Sequence, residues 1–305
     1  MDILNVEHVS QSFGNTKVLD DVSFAVPENS VFGFLGQNGA GKTTTMKIIL
    51  GLMKPTGGNV SILGETVTYG QTKTNRFVGY LPDVPEYYTF MTPKEYLKLC
   101  AQITNMPSNT IKKSVDEMLE LVGLANANKK IGGFSRGMKQ RLGIAQALLN
   151  QPKLLICDEP TSALDPLGRK EILDILHQVK GKTTVVFSTH ILSDVEKICD
   201  NIAVIHNGKI ALSGSIQDIK NRERKETLLI EFKSEKTLKT FMNLSEYGKI
   251  ENHAEKTENG ILINSTDIDG MFSYIMNVMS AHKIIPSKLE ILEPTLEDVF
   301  MEVIG

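Results

Sequence analysis

The sequence predicts a large α/β unit followed by a smaller α+β unit. Three observations carry this expectation. An apolar, strand-like run, Val31–Leu35, leads through a glycine-rich stretch into a helix-like stretch, Thr43–Leu52. A second apolar run, Leu154–Cys157, ends in two adjacent carboxylates, Asp158 and Glu159, and strand-like and helix-like segments alternate after it. Past the polar segment Asn221–Glu226 the charge balance turns from slightly basic to clearly acidic, as at a boundary between domains. A chain of 305 residues has room for two such units.

Taken in order, Ile3–Val9 and Val18–Val26 read as strands, rich in apolar and β-branched residues and separated by turn formers. The helix after the glycine-rich stretch is brought to an end by Gly51 and Pro55. Arg76–Leu81 reads as a further strand. From about Thr92 to Leu124, Tyr96, Leu97, Leu99 and Cys100, then Val115, Met118, Leu119 and Val122, recur at helical spacing. This marks a helical insert, placed at about residues 84–140. Leu154–Cys157, Thr183–Ser188 and Ile202–His206 are nearly continuous apolar runs, the pattern of strands covered on both faces, with a helix at Gly168–Val179. The tail reads as strand Leu228–Phe232, helix Lys236–Leu244, strands Lys249–His253 and Ile261–Asn264, helix Met271–His282, strand Ser287–Ile291 and a last helix. That order is a split βαβ module. The expected domains are therefore 1–220 and 221–305.

Composition narrows the function classes. Hydrophobic residues make up 41% and charged residues 23%, enough apolar material for a core. A net charge of −3 lacks the basic footprint of a nucleic-acid binder. The three widely spaced cysteines form no metal-ligand or redox pattern and read as small apolar residues of a reducing compartment. The first residues lack the basic and apolar regions of a signal peptide, and no apolar run reaches the ~18 residues of a membrane span. A cytoplasmic protein is expected, with any membrane role exerted through a partner.

The first chemistry-bearing motif is Gly36-Gln37-Asn38-Gly39-Ala40-Gly41-Lys42-Thr43, with Thr44 next, between a strand and a helix. Glycines let the backbone wrap a phosphate chain, and the helix N-terminus adds positive potential. Lys42 is placed to reach β- and γ-phosphates, and the Thr43 hydroxyl to hold Mg²⁺. The second is the strand end. There Asp158 can bind the hydration shell of Mg²⁺, and Glu159 can polarise an attacking water.

Downstream residues add a family resemblance. Phe134-Ser135-Arg136-Gly137-Met138-Lys139-Gln140-Arg141 resembles the signature motif of ATP-binding-cassette (ABC) proteins, keeping Ser135 and Gly137 of the usual Leu-Ser-Gly-Gly-Gln. Ser135 also suits a helix N-cap, and Gly137 permits close approach of an anion. Ser162-Ala163-Leu164-Asp165 resembles the family's dimer-contact loop, and Ser188-Thr189-His190 ends a strand where the family carries its switch histidine. Phe13 stands at the place of the adenine-stacking aromatic, with an ordinary core phenylalanine as the alternative. The resemblance covers residues 1 to about 220, with the motifs in the family's order.

The resemblance implies a P-loop NTPase fold of ABC type: a RecA-like core, an antiparallel β subdomain and the helical insert. It implies ATP and Mg²⁺ as cofactors, with Lys42, Glu159 and His190 in catalysis. Phe13, residues 36–44, Ser135 and Gly137 would bind nucleotide, and Thr43 and Asp158 the metal. Its implied partners are integral-membrane permease subunits and a second cassette, identical or paralogous, placing the chain on the inner face of the membrane. In the family the signature Ser and Gly complete the ATP site of the facing protomer. One departure stands out. Where the family usually has Pro-Gln, this chain has Pro82-Asp83, so Asp83 either takes the glutamine's place near Mg²⁺ or belongs to a redrawn loop. The aromatic run around Tyr87, Tyr88 and Phe90 reads as a permease-docking surface or as ordinary core.

The ending Leu292–Phe300 resembles that of the drug- and peptide-antibiotic-exporting branch, similar to the cassettes of bacitracin or daunorubicin resistance. Export is thus expected, with an importer cassette or a non-transport regulatory ATPase as the alternatives. Two-cassette translation factors would need a second cassette. Chromosome-maintenance cassettes would need long coiled coils between the glycine-rich loop and Asp158, and no sustained heptads occur there.

Overall fold

A computed structural model describes residues 1–71, 73–222, 226–265, 267–292, 296–297 and 299–300. Its contacts divide the chain into two compact units, Met1–Ile216 and a second beginning at Gln217.

The first unit opens with a long hairpin, β1 (Asp2–Phe13) and β2 (Thr16–Pro27), followed by β3 (Val31–Leu35), α1 (Lys42–Ile49), β4 (Gly57–Ile62), β5 (Glu65–Thr66) and β6 (Val78–Leu81). Three helices come next, α2 (Pro93–Ile103), α3 (Ser108–Leu121) and α4 (Arg136–Leu148). Then follow β7 (Leu154–Asp158), α5 (Pro166–Val179), β8 (Thr184–Thr189), α6 (Leu192–Ile198), β9 (Asn201–His206) and β10 (Lys209–Ser215).

One sheet has the order β2-β1-β4-β5 and is antiparallel throughout. β2 alternates over its second half, with Val22, Phe24 and Val26 buried and Ser23 and Ala25 outward, as one-sided burial requires. The other sheet has the order β10-β9-β3-β8-β7-β6 and is parallel apart from the β9–β10 pair. Here β3, β7 and β8 are buried at every position, which explains their unbroken apolar runs. Phe24 of the antiparallel sheet stacks on Phe32 and Phe34 of β3, so the two sheets and α1 share one core.

The helical insert is built from amphipathic helices. Thr92 and Glu95 form a reciprocal capping box that starts α2. Ile111, Val115 and Leu119 form the buried stripe of α3 at four-residue spacing. α4 runs past residue 140 to Leu148, and its Gln146 accepts a hydrogen bond from the Tyr96 hydroxyl at 2.9 Å.

The boundary falls at the first residue of α7 (Ile216–Arg222), and the second unit goes on with β11 (Glu226–Glu231), α8 (Glu235–Met242), β12 (Ala254–Lys256), β13 (Gly260–Ser265), α9 (Ile268–Ala281) and β14 (Lys288–Leu292). The sheet order is β12-β13-β11-β14 with every neighbouring pair antiparallel. β13 thus lies between β11 and β12, the split βαβ arrangement. Leu228, Ile230, Ile261 and Ile263 of the sheet pack with Leu238, Phe241, Ile275 and Met279 of the helices.

Three sequence expectations shift. Thr74–Phe77 is a tight 3₁₀ turn, so the expected strand Arg76–Leu81 starts at Val78. Lys249–His253 is not a strand but lies in two 3₁₀ turns, and pairing begins only at Ala254. Tyr247 and Ile250 are buried there by a turn, three residues apart, and a strand would have sent them to opposite faces. The first helix ends at Ile49, with Gly51 in the left-handed region just beyond its cap. The expected last helix falls largely outside the described residues, as do Glu293–Thr295 and Asp298 of the Leu292–Phe300 motif.

Candidate nucleotide site

The glycine-rich loop joins β3 to α1, as its place after a buried strand dictates. Gly36 N donates to Thr189 O at 3.2 Å, tying the loop to the end of β8. A Cβ on Gly36 would lie 2.6 Å from Ile205 O, so only glycine fits against β9. Gly41 caps α1 at φ +113°, a left-handed conformation that side chains oppose. α1 has no acidic residue in its first turn, so its N–H groups and dipole face the loop uncompensated. That is the electrostatic setting of a phosphate cradle.

Lys42, 6% exposed, donates from Nζ to Gly36 O at 2.7 Å and to Gln37 O at 3.1 Å. Its Nζ also lies 3.1 Å from Glu159 Oε1. This ion pair lacks hydrogen-bond geometry, so the buried Oε1 has no donor. The other carboxylate oxygen, Oε2, accepts from His190 Nδ1 at 3.0 Å. Glu159 itself sits at φ +48°, a strained setting for a side chain that large, held by bonds from its N–H to Ser188 O and Oγ. Asp158, at the end of β7 and 2% exposed, accepts from Ser188 Oγ at 2.6 Å. Burial, reinforced by the Asp158 charge, pushes the nearby Tyr80 hydroxyl up to about 12. It therefore stays protonated at neutral pH.

A cavity of about 230 Å³ gathers Asn38, Gly39, Gly41, Lys42, Thr43, Thr44, Glu159, Asp83 and Val18. Four separate parts of the chain thus meet at one place: the glycine loop with α1, the end of β7, the segment after β6, and β2. Gln37 and Ala40 belong to the same loop, and His190 touches Glu159 from the end of β8. Phe13 ends β1, is 49% exposed, and does not line the cavity; the core alternative for it does not hold. Ser135 and Gly137 do not line it either. Ser135 is the N-cap of α4, accepting from Met138 N at 3.2 Å. Asp165 caps α5 in the same way.

The residues fit ATP and Mg²⁺. The glycine cradle leaves room a Cβ would fill, and Glu159 Oε1 is a buried acceptor with no donor. Among the described residues no three His, Cys, Asp or Glu side chains cluster as a metal cage. Mg²⁺ needs none, since it is held by one or two protein oxygens together with phosphate and water. Two contacts had no signal in the sequence: Asp83 Oδ1 accepts from Arg136 Nη2 at 3.4 Å, and Gln140 Nε2 donates to Asp83 O at 2.7 Å. Their partners lie more than fifty residues apart, beyond the reach of local pattern.

Known proteins match the sequence and the fold. The family model described as ABC transporter matches residues 19–162. The bacitracin transport ATP-binding protein BcrA of Bacillus licheniformis is 36% identical over 306 aligned residues, 99% of this chain and 97% of that protein. The ABC transporter ATP-binding protein YxlF of Bacillus subtilis is 44% identical over 73% of this chain and 74% of its own. Among solved structures, an ATP-binding subunit of an ABC transporter superposes with a TM-score of 0.65 at 34% identity, covering 72% of this chain and 92% of that one. CbiO1 from Clostridium perfringens, part of the ABC transporter complex CbiONQ, gives 0.67 at 27% identity over 82% of this chain and 99% of its own. Proteins of this kind dimerise and work with membrane permease subunits, and no helix among the described residues is long and apolar enough to cross a membrane. A phosphate cradle, an acidic strand end and relatives matched over the whole chain converge on one assignment: the chain belongs to the ATP-binding, ATP-hydrolysing subunits of ABC transporters.

Proposed function

We propose that this subunit powers export of a drug or peptide antibiotic of the bacitracin kind through a separate permease, bound to its cytoplasmic side. The observation that carries the export reading is the similarity to the bacitracin transport protein, which spans 99% of the chain and so includes the second unit. In this reading the Gly36–Gly41 loop and the first turn of α1 hold the phosphates, with Lys42 neutralising their charge. Thr43 and Asp158 would hold Mg²⁺, which would supply neutralisation of the phosphate charge. Glu159 takes up a proton from the attacking water, and His190 holds the Glu159 carboxylate in place through Oε2. Phe13 stacks on adenine from the end of β1. Ser135 and Gly137, which stand apart from the cavity of their own chain, complete the site of a facing copy or paralogue. Closure of the two cassettes over ATP, and reopening after hydrolysis, is the motion passed to the permease.

The test uses a strain lacking the gene, complemented with the parent chain or with Lys42→Ala. Complementation by the parent alone should restore tolerance of bacitracin or a related peptide antibiotic, and the purified variant should release no phosphate from ATP. Unchanged susceptibility in the deleted strain would remove the antibiotic-export reading. Parent-like hydrolysis by Lys42→Ala would remove the assignment of the cradle.

A further inference from the structure

The segment after β6 is fastened to the start of α4 by three contacts. Asp83 Oδ1 accepts from Arg136 Nη2 at 3.4 Å, and Asp83 O accepts from Gln140 Nε2 at 2.7 Å. The Tyr87 hydroxyl donates to Lys139 O at 2.6 Å. Burial raises the ionisation point of that hydroxyl, which keeps it a donor. Residues 136, 139 and 140 lie three and four apart, so they form one face over the first turns of α4. Gln140 is 1% exposed, which makes its bond to Asp83 O a fixed point. The same Asp83 lines the cavity with Lys42, Thr43 and Glu159.

Asp83 therefore brings a second carboxylate to a cavity that already holds Glu159 and is to receive phosphates. Like charges that share one cavity repel unless a cation answers them. The structure supplies such a cation from the protein, the guanidinium of Arg136 at 3.4 Å. We infer that Asp83 is the counter-ion of Arg136 and a positioning residue, holding the start of α4 against the phosphate cavity, and is not a ligand of the metal. The two side chains are 46% and 44% exposed, so the pair contributes only about 0–1 kcal/mol to stability. Its effect lies in placement and charge. It also ties the loop that carries Ser135 to the cavity wall of the same chain. The inference rests on the reading that residues 36–44 bind the phosphates of ATP.

The test compares the full-length chain with Asp83→Asn, Arg136→Gln, the double variant and Arg136→Lys. Each is measured for steady-state ATP hydrolysis and for binding of a fluorescent ATP analogue across a Mg²⁺ titration, with thermal melting as a folding control. Each neutralising single variant should lower kcat by about 3- to 10-fold, the scale of coupling between touching residues, and the double variant should fall no further than the worse single. Arg136→Lys, which keeps the charge, should retain most of the rate. The difference between parent and single variants should shrink in about 0.5 M NaCl, where exposed pairs are screened. The Mg²⁺ half-saturation should hold within about twofold for Asp83→Asn, while Asp158→Asn, run alongside, shifts it at least about tenfold. Multiplicative losses in the double variant would overturn the pairing, and a tenfold Mg²⁺ shift from Asp83→Asn would make Asp83 a metal ligand. A parent chain that binds no nucleotide would instead bring down the phosphate reading, and this inference with it.

Discussion

Replacing Glu159 by Gln tests the centre of the site, because it removes one charge while keeping the shape. Glu159 Oε1 stands 3.1 Å from Lys42 Nζ, with side-chain exposures of 12% and 6%. At an effective dielectric of about 20 the attraction between the two charges is about 5 kcal/mol. Losing one partner of a fully buried pair costs about 3–5 kcal/mol, but Lys42 keeps two carbonyl acceptors and lines the cavity, so the variant should lose about 1–2 kcal/mol. For a domain of this size that is a fall in Tm of about 2–8 °C. Lys42 keeps its bonds to Gly36 O and Gln37 O, so the loop should stay in place. The ammonium is then no longer shared with a carboxylate, and incoming phosphates meet one negative charge fewer. ATP should bind tighter by the same ~1–2 kcal/mol, about 5- to 30-fold. Hydrolysis should drop by about 10²–10⁴-fold, the usual contribution of a positioned base, since an amide takes no proton from water. Titration with a fluorescent ATP analogue, phosphate release and thermal melting read the three effects separately. Weaker ATP binding, or hydrolysis within about threefold of the parent, would refute the assignment of Glu159.

Two further outcomes follow from other parts of the molecule. Gly36→Ala puts a Cβ 2.6 Å from Ile205 O and 2.7 Å from Ile205 Cγ2, so the loop or β9 must give way. Melting should show a loss of about 1–3 kcal/mol, with weaker nucleotide binding, and a parent-like Tm would mean the loop is less constrained than this contact requires. In the second unit, hydrogen bonds from His282 and then Ser245 hold the Glu246 carboxyl down at about 2, against an ordinary 4.5. A depressed carboxylate stabilises the fold above its unfolded value and loses that contribution as pH falls through the folded one. The Tm gap between parent and Glu246→Gln should therefore be full at pH 7 and close on acidification from about 4.5 to about 2. A gap that is constant with pH would assign the variant's effect to packing.

Much of the cradle was legible because local chemistry fixes it. A backbone that must wrap an anion needs glycines at set spacing, and Gly41 at φ +113° and Gly36 against Ile205 O show why two of them are required. The parallel strands were equally legible, since burial on both faces leaves unbroken apolar runs at Val31–Leu35 and Leu154–Cys157. The stretch Lys249–His253 was misread because Ile250 is buried, and burial alone does not distinguish a strand from a tight turn. Its neighbour Tyr247, also buried, is spaced for a turn and not for alternation. The three-residue interval was visible in the sequence and points to a turn, against the strand suggested by the single β-branched Ile250.

The departures from the family pattern behave differently. Taken singly in the sequence, Asp83 and Arg136 are two unrelated charge changes, one in a loop and one at a helix start. The fold brings them to 3.4 Å, where each supplies what the other lacks. An acid at the cavity wall needs a cation, and an arginine at a helix N-terminus, where the dipole disfavours positive charge, needs an anion. Each change is unfavourable alone and compensated together, which is a relation that spacing along the chain does not reveal. Ser135, one residue before Arg136, is fastened to the same wall through α4 yet stays exposed and outside the cavity. Its side chain caps α4, accepting from Met138 N at 3.2 Å, and takes no part in the chain's own phosphate cavity. In the function proposed above a second cassette would bring phosphates to it, and the Asp83–Arg136 pair would then link the pose of that serine to the chain's own ATP site.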